Sequence, residues 1–180
     1  MSKPVHNAYP ELPELDCQPT QLSEAEVVDF MKTTLASQYP LECLLAAFTI
    51  WFEESDGGKK GINGNYAGVQ ADGAQLKAPW DGEVIGTVLV RENMTGDMRR
   101  FVVFNNWQTG IQYEVDRLYM RGLYIGGYAH PYANQKVTDV RSLAICYGKE
   151  WVQGDKNYQM PEDDIADFAL AYYRAQQKFA

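Results

Sequence analysis

A chain of 180 residues that is 46% hydrophobic and 13% aromatic has the material for one packed domain, which excludes a disordered tail or linker. Its net charge of −8 leaves no basic surplus to neutralise phosphates, which argues against nucleic-acid binding and against attraction to an anionic membrane surface. Three widely spaced cysteines (Cys17, Cys43, Cys146) and two distant histidines (His6, His130) suggest neither a disulfide framework nor a metal site, and no cofactor is expected.

Residues 1–19 carry prolines at 4, 10, 13 and 19 and little periodicity, so they read as an extended arm. The first ten residues lack the apolar stretch of a secretory signal, and no apolar run is long enough to span a bilayer. The expectation is a protein made in the cytoplasm, without membrane insertion, that needs a separate route to any target beyond the membrane. Ser23 followed by Glu26 forms a capping box ahead of Val27, Val28, Phe30 and Met31, which predicts a first helix ending before Pro40. A second helix starts near Pro40, with Leu41, Leu44, Leu45, Phe48 and Phe52 on one core-facing stripe and Glu53–Glu54 in its last turns.

From Asp56 the helical period breaks into a glycine-rich region over 56–75. Residues 86–92 and 99–105 then predict two strands of a hairpin, joined across 93–98. The adjacent Arg99 and Arg100 read as a solvated strand edge. Helical spacing returns at 107–120 through Ile111, Val115, Leu118 and Tyr119, and stops at Gly122. A Gly/Tyr-rich loop over 122–134 holds His130, which reads as a loop histidine without a pairing partner. Helices are predicted over 135–147 and 161–179, the last with acids at its positive end and Arg174 and Lys178 at its negative end. The order describes an α+β protein with its sheet gathered into one insertion, and a cleft between a helical and a β lobe is where a ligand is expected.

The chemistry concentrates at T-I-W-F-E-E-S-D-G-G, residues 49–58. A carboxylate placed where apolar packing ends loses part of its hydration, which favours the protonated form a general acid needs. Helices also commonly end in solvated acids, so on this stretch alone both readings of Glu53 and Glu54 stand.

E-S-D-G-G at 54–58, N-Y-A-G-V-Q-A-D at 65–72 and P-W-D-G at 79–82, in that order and spacing, resemble the lysozyme-like superfamily. The likeness is closest to the glucosaminidase branch of bacterial and bacteriophage peptidoglycan hydrolases. Thr87 and Glu92 on the first strand, and R-F-V-V-F-N-N-W at 100–107, extend it over about residues 41–128. The resemblance implies a single lysozyme-like domain over 20–180, with its β-lobe at about 62–105. It implies cleavage of a β-1,4 bond between N-acetylglucosamine and N-acetylmuramic acid, with Glu54 as general acid. The E-S-D match favours Glu54 over Glu53. Glu92, offset by about one residue from the family's position, Glu83 and Asp81 are the candidates for a second carboxylate. The superfamily's lytic transglycosylases instead use one glutamate and the sugar's own 6-hydroxyl. Asn65, Gly68 and Gln70 would shape a turn that holds an N-acetyl group or a sugar hydroxyl. Tyr66, Trp80, Tyr124 and Tyr128 would stack on sugar faces. The implied partner is the peptidoglycan glycan strand, with a virion or an export machine for delivery. The alternative is a non-enzymatic lysozyme-like module that binds glycan or serves as a structural part of a larger particle.

Overall fold

The computed structural model describes residues 5–91 and 96–180, and the chain is α+β. Its elements in order are β1 (Pro19–Thr20), α1 (Glu24–Phe30) continued by a π-helical turn (Met31–Leu35), α2 (Leu41–Glu54) and β2 (Gly61–Ile62). A 3-10 turn (Trp80–Glu83) leads into β3 (Val84–Arg91), β4 (Met98–Phe104) and α3 (Trp107–Arg121). Then come β5 (Tyr128–Ala129), β6 (Gln135–Lys136), α4 (Val140–Tyr147) with a second π-helical turn (Gly148–Gln153), and α5 (Glu162–Phe179). Contacts group the chain into two compact units, Met1–Leu22 with Lys59–Tyr113 and Ser23–Gly58 with Glu114–Ala180.

In the β-rich unit β3 and β4 form an antiparallel hairpin, Thr87 opposite Val102 and Arg91 opposite Met98, with an irregularity between Val84 and Gly86. Both outer edges of the hairpin are covered. On the β3 side the N-terminal segment runs parallel, Leu15 N–H donating to Thr87 O (2.8 Å) and Thr87 N–H to Pro13 O (3.0 Å). On the β4 side Ala71 N–H donates to Arg100 O (2.7 Å) and Val102 N–H to Val69 O (3.0 Å). Ala8 N–H then donates to Ala71 O (2.8 Å), joining the two covering segments. The extended N-terminal segment is thus part of this unit's hydrogen-bonded framework. Its Ala8 and Tyr9 pack in one cluster with Ala71, Val84, Val102, Phe104 and Tyr113.

Arg100 corrects the expectation of a solvated edge. It is buried, and its Nη1 donates to Glu14 Oε2 (2.6 Å) and Thr87 Oγ1 (2.9 Å), so the arm supplies the charge that makes the buried cation tolerable. Arg99 pairs with Asp72 at 3.3 Å. In α3, Gly110 lies against the Gly64 carbonyl: a Cβ there would sit 2.2 Å from that oxygen. Only glycine permits this approach.

In the helical unit, Ser23 caps α1 with Glu26 at the third helical position, as the capping box predicts. Helix α2 departs from its one-faced prediction. Cys43 through Trp51 are all buried, and α2 packs against α5. Helix α5 in turn ties to the start of α1, where Glu24 accepts from Arg174 and pairs with Lys178 at 2.9 Å. The helix expected over 135–147 is shorter. Asp139 accepts from Ser142 N–H and starts α4 at Val140, while Gln135–Lys136 pair as a strand with Tyr128–Ala129. An Asp/Ser capping box, which outcompetes helical continuation upstream, is the cause.

Two substitutions check this account in urea unfolding. Gly110→Ala is expected to cost about 2 kcal/mol or more, because helix or loop backbone has to move. Glu14→Ala, which strands a buried guanidinium but removes a half-exposed partner, is expected to cost about 1–2 kcal/mol.

Candidate functional site

Helix α2 stops abruptly. Ser55, fully buried, donates its backbone N–H and its hydroxyl to Trp51 O, and its Oγ accepts Gly58 N–H (2.8 Å). Asp56, Gly57 and Gly58 follow with φ of 51°, 64° and 87°, and Gly57 N–H donates to Phe52 O (2.8 Å). Three successive left-handed residues turn the chain away from the helix axis. Glu53 and Glu54 remain on the last turn, about 100° apart around the axis.

The two acids meet different surroundings. Glu54 Oε1 accepts a short hydrogen bond from the Tyr147 hydroxyl at the end of α4, and Tyr147 is itself buried against Phe168 of α5 (ring centroids 5.2 Å apart). Glu53 has its carboxyl pushed above the usual range by burial, with Asp167 and Glu54 adding repulsion.

A third carboxyl joins them from α3. Glu114 is 1% exposed, and neither of its oxygens has a hydrogen-bond partner among the described residues. Burial holds its carboxyl well above the usual glutamate range, and the charge of Glu54 raises it further. The Tyr147 hydroxyl is pushed up by burial and then by Glu54, Glu114 and Glu53, so it remains a phenol and a donor. Glu54, Tyr147, Glu114 and Glu53 therefore form one electrostatically coupled cluster within the helical unit. Burial first, and then the charge of Glu54, favour the protonated form of Glu114.

Neither Glu114 nor Tyr147 was among the residues the sequence reading singled out. Glu114 did carry a signal. It lies three residues after Ile111 and four before Leu118, both fully buried, so an acid occupies the apolar stripe of α3. Tyr147 had none, as one of twelve tyrosines at the end of a helix.

The other sequence candidates fall in both units. Glu83 ends the 3-10 turn of the β-rich unit, its backbone carbonyl accepting Asn105 N–H (3.2 Å). Glu92 lies outside the described residues. The Asn65 amide is spent on backbone, Nδ2 donating to Val69 O and Val102 O and Oδ1 accepting Val69 N–H, each at 3.0 Å. Its role is to hold the turn that places Val69 beside β4. Tyr66 is 4% exposed, and its ring fills the space beside Gly61, so it is a core residue rather than a stacking platform. Gly68 (φ 59°) and Gln70 are exposed on that turn. Trp80 packs edge-on to Tyr113 at 5.4 Å.

Tyr124 stacks on Tyr119 at 5.8 Å in the helical unit. Tyr128 is 55% exposed, with its hydroxyl donating to Asn134 O (3.3 Å), and of the four aromatic candidates it alone is exposed. The cysteines are free thiols, and no group of three or more potential metal ligands exists among the described residues. No helix among those residues is long and apolar enough to cross a membrane.

Comparison with protein-family models, with curated proteins and with solved structures finds no match.

The buried acid sets a pH signature. A carboxyl whose folded-state pKa is raised binds its proton more tightly in the native state. Stability then falls as pH climbs above the ordinary glutamate value of 4.5 towards the raised one. Glu114→Gln removes that loss. The variant is expected to melt above the parent at neutral pH, with the difference shrinking as pH falls to about 4.5, in thermal scans across the range.

Proposed function

We propose that this chain is a lysozyme-like peptidoglycan hydrolase whose general acid is Glu54. One observation carries the reading. The acid that the sequence resemblance selects is the one of the pair whose carboxylate is fixed by a buried phenol, Tyr147, beside a second carboxyl kept out of water. With Oε1 held by Tyr147, Glu54 Oε2 is the oxygen left to carry a proton to a substrate.

In the proposed reaction Glu54 gives its proton to the glycosidic oxygen of the β-1,4 link between the two N-acetyl sugars. The bond from that oxygen to the sugar C1 breaks, and the oxocarbenium-like centre is captured by water or by the sugar's 6-hydroxyl. The ionised Glu54 takes the proton released by the capturing hydroxyl and is restored. Glu114, 1% exposed, is too deeply placed to attack C1, so it is not the nucleophile of a double displacement. A single working glutamate is the proposed scheme, and Glu83 and Glu92 remain the candidates for a second carboxylate. Gly68, Gln70, Trp80, Tyr124 and Tyr128 remain the proposed sugar contacts. The glycan strand is the proposed partner, reached by way of a virion or an export machine.

A non-enzymatic glycan-binding or structural module is the second reading. The commitment of Asn65 and Tyr66 to internal packing favours it, since it leaves fewer groups for a substrate.

Turbidity loss of purified peptidoglycan separates the two. Glu54→Gln is expected to reduce the rate by about a hundredfold or more, and Glu53→Gln by a few-fold at most. Equal losses would remove Glu54 from its role. A parent that sediments with peptidoglycan without clearing it supports the second reading. Mass analysis of released fragments then distinguishes capture by water from capture by the 6-hydroxyl, since only the latter leaves anhydro ends.

A further inference from the structure

Helix α5 is buried on one side against α2 and α4 and turns its other side to solvent. Asp163, Ala166, Leu170, Tyr173 and Gln177 recur there at spacings of three and four. All five are exposed, Leu170 at 67% and Tyr173 at 52%, so two large apolar side chains on adjacent turns stand in water. Beside this ridge runs a groove of about 340 Å³ between α4 and α5, lined by Val140, Ile165, Ala166, Ala169 and Tyr173. The Arg141–Glu162 pair, bonded at 2.6 and 2.7 Å, lines its charged end. Ridge and groove adjoin on one helix, so this surface offers both halves of a single contact.

Charge selects the occupant and its direction. The first half of α5 carries Asp163, Asp164 and Asp167, with Glu162 already neutralised by Arg141. The second half carries Arg174 and Lys178, two cations that share one acid, Glu24. Helix α5 is thus negative at its start and positive at its end. A second α5 laid antiparallel matches each end with its opposite and opposes the two helix dipoles, whereas a parallel one sets acids on acids.

We propose that this face of α5 is a self-association surface, on which a second copy of the chain docks antiparallel about a twofold axis beside residues 169 and 170. In that register Leu170 of one copy lies over Ala169 in the groove of the other, and Tyr173 over Ala166, so large side chains meet small ones. Arg174 stands opposite the turn from Asp163 to Asp167 of the second copy. Each contact occurs twice, as an isologous pair requires. One helix face per copy falls short of the roughly 800 Å² per partner of a tight complex, so the expected dissociation constant is about 10–100 µM. The pairing does not depend on the glycan-cleavage reading.

Sedimentation velocity of the full chain from about 5 to about 500 µM tests the association, and a monomer–dimer equilibrium is expected across that range. Leu170→Glu should weaken it by about tenfold or more while melting within a few degrees of the parent, since Leu170 already faces water. Met120→Glu, at a side chain 64% exposed on α3, should leave it within about twofold. A chain that stays monomeric throughout, whatever else then covers the face, overturns the proposal. So does an association that Leu170→Glu leaves unchanged.

Direction is read by cysteine cross-linking at about 200 µM in a Cys17→Ser background, which removes the exposed native thiol. The twofold brings residue 170 to its own counterpart, so Leu170→Cys should form a disulfide-linked dimer on mild oxidation. Residue 163 lies about 20 Å from its counterpart in the antiparallel pair, so Asp163→Cys should not link. Equal linking at both positions, as a parallel pair gives, or linking at neither, overturns the proposal.

Discussion

Helix α2 presents nine consecutive buried residues, Cys43 to Trp51, and a helix apolar on every side has to be enclosed on every side. Within the helical unit α5 packs along α2, α4 packs on α5 in turn, and Cys43 Sγ of α2 meets the Val115 carbonyl of α3 (3.7 Å). The enclosure also explains where the chemistry sits. In α2 the acids stand outside the apolar run: Glu53 and Glu54 follow Trp51, and the buried Ser55 seals the helix behind them. Both acids are exposed, yet the charge of Glu54 acts on the buried Glu114 and Tyr147 nearby. The coupling among Glu54, Tyr147 and Glu114 is thus a by-product of how tightly α2 is packed.

The β-rich unit solves a different problem. A two-stranded hairpin has two open edges and is marginal alone, and here both edges are taken by extended chain with little secondary structure of its own. The pairing of Arg100 with Glu14 ties one of those covering segments to the hairpin by charge as well as by backbone hydrogen bonds. Glycine does the complementary work at Gly110, letting α3 lie directly on a loop carbonyl.

How far the sequence could be read follows from how local each signal was. The capping box at Ser23, the helix ending at Glu54, the hairpin strands and α5 all declare themselves within a few residues, and all are present. The full burial of α2 was hidden because a one-sided stripe and an all-round apolar helix share the same periodic positions; what differs is the partners, which lie far along the chain. Residues 135–147 misled because β6 depends on Tyr128–Ala129 and α4 on the Asp139 cap, not on the apolar spacing. At the candidate site the sequence placed Glu54 in the last turn of a helix, where the structure has it. Asn65 was legible as a turn former, but its use of every amide atom on backbone was not. Glu114 was readable only as an anomaly, an acid where the period of α3 called for an apolar residue. Tyr147 becomes meaningful only once α4 is brought beside the end of α2.

The pairing of Pro13 and Leu15 with Thr87 has a consequence for how this chain is made. Synthesis delivers the covering segment some seventy residues before the strand it covers, and each unit is assembled from two stretches separated by the other. Neither unit can be completed while the polypeptide is still short, so the closing of contacts between distant positions is expected to slow acquisition of the native state. During that interval β3 emerges as an open, apolar edge whose proper occupant is already in reach, tethered and waiting. The arm thus doubles as an intramolecular guard, competing with other copies of the nascent chain for the same backbone donors and acceptors.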